Sequence, residues 1–279
     1  MTLSPADREA FEHEAVPWLL DVARFALSLT RDEADADDLV QDTFLTAQQN
    51  WHQYVAGTSC RAWLFTICRH RFYRLRQRDE RSVAVEDPEL ESLAAAALHS
   101  AAAHSGLADA FERSEVLAAV ESAIAELPPA FRDVALLVDV HDGSYESASQ
   151  ALGVPIGTVR SRLFRARRLL QERLLKHASD AGVVVRTPAT SPGAMSMEPM
   201  PDCDSVMRQL WDFLDGELTD AGMVAIREHL SMCSRCQPQA AFERSFLSAV
   251  SRARRDHSSP LSLGDRVRAA LRLQGYGDR

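Results

Sequence analysis

His229, Cys233 and Cys236 form an H-x3-C-x2-C pattern. On a helix, His229 and Cys233 stand one turn apart on the same face, and Cys236 comes round at the helix end. Three soft ligands ask for a fourth, because zinc in a closed site is held by four in a tetrahedron. Cys203, 26 positions before His229, opens the preceding helical segment. A helix over residues 204–217, a turn through Gly216 to Asp220 and a return helix bring it to the other three. The chemistry expected of Cys203, His229, Cys233 and Cys236 is structural coordination of zinc. The remaining two of the five cysteines, Cys60 and Cys68, lie in an apolar stretch and read as small buried hydrophobes. An odd cysteine count argues against a disulfide framework.

A second chemistry is recognition of nucleic acid. Residues 156–176 hold 7 bases and 1 acid, and residues 69–81 hold 6 arginines and 2 acids, while residues 1–68 hold 11 acids and 4 bases. Two basic islands in a chain of net charge −9 steer toward phosphate, and the acidic remainder suits a basic protein partner. The second island follows YESASQALGVP, a helix and a Gly turn, which is the order of a helix-turn-helix. Ala148 is small where two helices must cross, and Leu152, Val154, Val159 and Leu163 can lock them. Thr158, Arg160, Ser161, Arg162 and Arg165 then fall near the start of the second helix, where side chains reach base edges. Arg167 and Arg168, further along, are expected on phosphates.

The elements that position these groups read as helices throughout. Hydrophobic residues make up 46% and glycines number only 12 in 279 residues, which favours an all-α chain. The 3.6-residue period predicts helices over 5–30, 32–50, 60–81, 131–140, 145–152, 156–177 and 242–254. Trp63, Phe65 and Ile67 are expected in a core. Asp87-Pro88 and the Ala-rich run after it mark one linker, and Thr187–Pro201, with four prolines, marks another. Apolar stripes at Phe242, Phe246, Leu247 and Val250, and at Leu263, Val267, Ala270 and Leu271, either complete a small domain or meet another surface. The segment MTLSPADREAFEHEA lacks a basic flank and an apolar core, and no run approaches the roughly 18 apolar residues of a membrane span. A cytoplasmic location without membrane contact is expected. No paired catalytic carboxylates, nucleophile–base set or phosphate loop points to an enzyme.

LPPAFRDVALL followed by LGVPIGTVRSRLFRARRLL closely resembles region 4 of extracytoplasmic-function sigma factors, the domain that binds the promoter −35 element. The family pattern is LPPxxRxVxxL, a Tyr-Glu-Glu-Ile-Ala helix and LGVPxGTVxSRLxRAR. This chain departs from it at Ser147, where the family carries an acid, and at Ser149. DADDLVQDTFLTAQQ with CRAWLFTICRHRFYRLRQRDER resembles region 2, which binds the polymerase clamp and melts the −10 element. The resemblance implies Asp38, Gln41 and Asp42 as polymerase-binding positions, 51–59 as the loop that takes a flipped-out base, and Arg69, Arg71, Arg74 and Arg76 as contacts to the strand backbone. His70 stands where the family commonly has Asn. The last third resembles the zinc-associated anti-sigma domain, most of all its thiol-stress subgroup. In that subgroup the zinc thiolates oxidise to a disulfide, zinc leaves and the sigma factor is freed.

These readings divide the chain into region 2 at 1–83, a linker at 84–112, region 4 at 113–178, a second linker at 179–200 and a zinc-binding anti-sigma domain at 201–279. The expected partners are core RNA polymerase, promoter DNA and the chain's own inhibitory domain. Two alternatives stay open: a sigma factor whose Cys/His domain reads metal directly, and a helix-turn-helix repressor.

Overall fold

The computed structural model describes residues 4–77, 116–180, 203–234, 236–253 and 269. All regular elements among them are helical, in agreement with the all-α expectation. The chain divides into two compact units.

The first unit holds residues 4–77, 128–163, 253 and 269 of the described chain. Helix α1 spans Pro5–Glu14, with the Ser4 side chain accepting from the Asp7 N–H and Pro5 at the first position. The helix expected over 5–30 is in fact interrupted by a 3₁₀ turn at Val16–Trp18, and α2 begins afresh at Leu19 and runs to Thr30. The cause is Pro17, which has no N–H to donate and whose ring would clash with the preceding turn. Asp32 caps α3 (Glu33–Gln49) by accepting from the N–H groups of Ala34 and Asp35. Helix α4 spans Cys60–Gln77. Phe25, Leu29, Leu39, Phe44, Leu64, Phe65, Cys68 and Phe72 are buried. Leu64, Cys68 and Phe72 follow the i, i+4, i+8 line of α4, so Trp63 and Ile67 are only half-buried and do not join the core as expected.

Residues 128–163 complete this unit. Helix α6 spans Pro129–Ala135 and continues as a π turn, Leu136–Val140; α5 (Val116–Ala125) precedes it but belongs to the second unit. Gly143 follows the π turn, and a Cβ there would lie 2.6 Å from the Leu137 carbonyl oxygen, so only glycine fits. Ser144 caps α7 (Tyr145–Leu152), and Gly153, at φ 65°, ends it in the left-handed region. Helix α8 then runs Ile156–Asp180. Ala148, Val159 and Leu163 are buried as the helix-turn-helix reading requires, while Leu152 and Val154 are half-buried.

The second unit holds α5, the part of α8 from Phe164 onward, and three further helices. These are α9 (Cys203–Leu214), α10 (Asp220–Met232) and α11 (Cys236–Arg252). Thr219 caps α10 by accepting from the Gly222 N–H. Cys203, Val206, Leu210, Ile226, Leu230, Cys233, Cys236 and Ala240 form one buried cluster. Helix α11 also packs on α5, and Phe242, Phe246 and Val250 of its expected stripe are buried. The Asp87-Pro88 and Thr187–Pro201 linkers and the whole stripe of Leu263, Val267, Ala270 and Leu271 lie outside the described residues.

Candidate functional site

Cys203 enters at the first residue of α9, His229 from the last turn of α10, Cys233 just beyond it and Cys236 at the start of α11. Their ligand atoms all lie within 4.8 Å of one another and all four residues are buried. Cys203 Sγ is 3.7 Å from both His229 Nε2 and Cys233 Sγ, and His229 Nε2 is 3.4 Å from Cys236 Sγ. A tetrahedron with zinc–sulfur bonds of about 2.3 Å has edges of about 3.7 Å, so the donor set and its spacing both fit zinc. Burial, then the neighbouring Cys233 and Cys203, pushes the Cys236 thiol up to about 12. Thiols crowded in this way give up their protons when a dication takes them as ligands.

On α8, Arg160 and Ser161 are exposed, and Thr158, Arg162 and Arg165 half-buried. Arg160 lies 5.7 Å from the Tyr145 ring. The next two arginines have another fate. Arg167 is 1% exposed and donates to both carboxylate oxygens of Asp215, at 2.8 and 2.9 Å. Arg168 lies over Phe164 at 5.2 Å and over Trp211 at 4.9 Å, and burial pushes its guanidinium below the ordinary value. Gln171 donates to Glu243 at 2.6 Å, and the Trp211 indole N–H donates to the same oxygen at 2.8 Å. Both arginines expected on phosphates are thus taken up by side chains of the zinc-site helices and their flanking turn.

On α3 and α4, Asp38 is exposed and Gln41 half-buried, while Asp42 pairs with Arg71. Arg69 pairs with Asp133, which is wholly buried. Tyr73 donates to the same carboxylate at 2.7 Å and accepts from Arg132 at 3.0 Å. Arg74 is exposed, and Arg76 lies 5.1 Å from the Phe72 ring. Arg61 donates to the His141 carbonyl at 2.6 Å and Thr66 to that of Ala151 at 3.0 Å, so α4 is held against the start of the helix-turn-helix. The loop after α3 carries an aromatic group. Tyr54 stacks on Trp51 at 4.7 Å, Trp63 closes on Tyr54 at 5.4 Å, and the Tyr54 hydroxyl donates to Glu14 at 2.6 Å.

The chain matches the family models for Sigma-70 region 2 over residues 17–82, for Sigma-70 region 4 over 117–170 and for a zinc-finger family over 203–237. It is 37% identical over 153 residues to the ECF RNA polymerase sigma factor EcfG of Rhodopseudomonas palustris, covering 54% of this chain and 77% of that protein. The chain belongs to the ECF RNA polymerase sigma factors. It carries a zinc-finger anti-sigma segment in the same polypeptide. Other relatives are the factor SigM of Bacillus subtilis, 29% identical over 55% of this chain and 88% of that one, and SigE of Mycolicibacterium smegmatis, 33% identical over 57% of this chain. The match spans 59% of the length of SigE. A solved complex of the sigma factor RpoE with the anti-sigma factor NepR from Bartonella quintana matches with TM-score 0.43 and 31% identity, over 60% of this chain and 98% of that one.

Four residues of this sigma factor that sequence reasoning passed over prove central: Asp133, Trp211, Asp215 and Glu243. Asp133 and Glu243 carried a signal. Each is a lone acid beside residues that must be buried, Val134 and Phe242, and an acid in that setting has a partner. Asp215 had none, because it stands in the turn after α9 beside Gly216, where an acid is an ordinary turn residue. Among the described residues no helix is long and apolar enough to cross a membrane.

Proposed function

We propose that this sigma factor directs core RNA polymerase to promoters through their −10 and −35 elements, in the cytoplasm, and that its own C-terminal domain holds it inactive. In this reading Thr158, Arg160, Ser161, Arg162 and Arg165 read the −35 element, with Arg167 and Arg168 on its phosphates. Arg69, Arg71, Arg74 and Arg76 follow the melted −10 strand, and Asp38, Gln41 and Asp42 face polymerase. One zinc ion, held by Cys203, His229, Cys233 and Cys236, keeps α9, α10 and α11 together. The domain limits are those expected from sequence, 1–83, 113–178 and 201–279.

The observation that carries inhibition is the pairing of Arg167 with Asp215 and of Arg168 with Trp211. A carboxylate engages a guanidinium through the same two-pronged geometry as a phosphate, so the docked domain and DNA compete for one pair of cations. A tether of some twenty residues supplies an effective concentration on the order of millimolar. Release by thiol oxidation is supported by the Cys203–Cys233 approach of 3.7 Å: a peroxide that joins two of the thiols in a disulfide removes two zinc ligands.

The test is run-off transcription with core polymerase from equal amounts of the full chain and a chain ending at residue 194. The shorter chain should give more transcript under reducing, zinc-replete conditions. Equal yield would show that the third domain is no inhibitor. Peroxide should activate the full chain if the thiols are the trigger, and a chelator alone should do so if metal is the signal.

A further inference from the structure

The contact between α8 and the zinc-site helices combines apolar burial with three polar demands. Leu170 and Leu174 of α8 and Phe242 and Phe246 of α11 are buried. Such surface would accept many apolar helices and confers little choice. The polar groups are exacting. Asp215 takes two parallel hydrogen bonds from Arg167, a geometry that lysine does not supply. Trp211 presents its face to the Arg168 cation. Glu243, 1% exposed, receives an amide donor from Gln171 on one oxygen and one from Gln239 on the other, beside the Trp211 indole N–H. Arg167, Arg168 and Gln171 lie on adjoining positions of one helical face. Trp211, Asp215 and Glu243 come from α9, the turn after it and α11.

Resting on the reading of the C-terminal domain as an inhibitor, we propose that Asp215, Trp211 and Glu243 are specificity determinants. They admit a recognition helix that carries Arg-Arg-x-x-Gln at the positions of Arg167, Arg168 and Gln171, and they reject the equivalent helix of a sigma factor that lacks it. A helix with an acid in place of Gln171 would set a carboxylate against Glu243, and a helix without Arg167 would deprive the half-enclosed Asp215 carboxylate of its two-pronged guanidinium. The linker raises local concentration but does not prevent the domain from seizing another sigma factor. The three side chains supply that restriction.

The full chain, with a protease site placed in the linker at 187–201, is cut after purification, and the dissociation constant of the two halves is measured by dilution. Zinc content and helical content verify each variant. Asp215→Arg should weaken the pairing by about 100-fold or more, since it sets two buried cations together. Adding Arg167→Asp should recover most of that loss. Gln171→Glu should weaken it as well, and adding Glu243→Gln should recover that loss. Halves that hold together equally well in all these variants would overturn the proposal and leave the inhibitor reading intact. Unaltered halves that separate freely would overturn both. Loss in the single variants without recovery in the pairs would also overturn it, because the contacts would then serve packing alone.

Discussion

Arg167 of the recognition helix and Asp215, 48 residues further on, meet in a bidentate ion pair in which the guanidinium is 1% exposed. Asp215→Ala would leave that cation buried without this partner, at a cost of about 3–5 kcal/mol. The docked state should lose most of its advantage, and the full chain should give transcript close to that of the chain ending at residue 194. Run-off transcription checks it.

Asp133 plays the same part for α4. It is wholly buried and holds Arg69 and Tyr73. Asp133→Asn removes the charge that holds Arg69 and, under the proposed function, frees it for the −10 strand. The expected loss is about 1–3 kcal/mol, below that of a fully buried pair, because Arg69 is 23% exposed. Fluorescence transfer between probes at positions 24 and 146 should report a wider separation, and single-stranded −10 DNA should bind more tightly.

Burial raises the Glu243 carboxyl above its ordinary value, although hydrogen bonds from Trp211, Gln239 and Gln171 and the charge of Arg168 oppose the shift. The folded state therefore holds this proton to higher pH than the unfolded chain does. Stability should fall as pH rises from the ordinary glutamate range through the raised value. Thermal melts of Glu243→Gln should lack that slope, and the comparison with the unaltered chain isolates it.

Purified protein should contain one zinc per chain. His229→Ala or Cys233→Ser should abolish its retention and speed amide hydrogen exchange across 203–253, since three of the helices are joined at that point. Metal analysis that finds no zinc in reduced protein would count against the site.

Arg160 and Arg162 stand on α8 before Phe164, where the second unit begins. Arg160→Ala or Arg162→Ala, in a chain ending near residue 180, should weaken promoter binding by about 1–3 kcal/mol each if the guanidinium reads a base. Unchanged occupancy by both would remove them from the recognition surface.

Local sequence determined much of this molecule. H-x3-C-x2-C and a cysteine one helix earlier were enough to place four ligands, because helix period and turn length leave them few other places to go. The helix-turn-helix was legible for the same reason: Ala148, Gly153, Val159 and Leu163 have short-range duties that only a few residue types perform. What sequence could not determine was the partner of each charge. The arginines at 69, 167 and 168 look alike as exposed cations until the fold brings Asp133, Asp215 and Trp211 to them. Those partners lie 64, 48 and 43 positions away in the chain, and no periodicity encodes a contact at that distance. Tertiary packing decides it, because a buried guanidinium must find a carboxylate or an aromatic face wherever the fold supplies one.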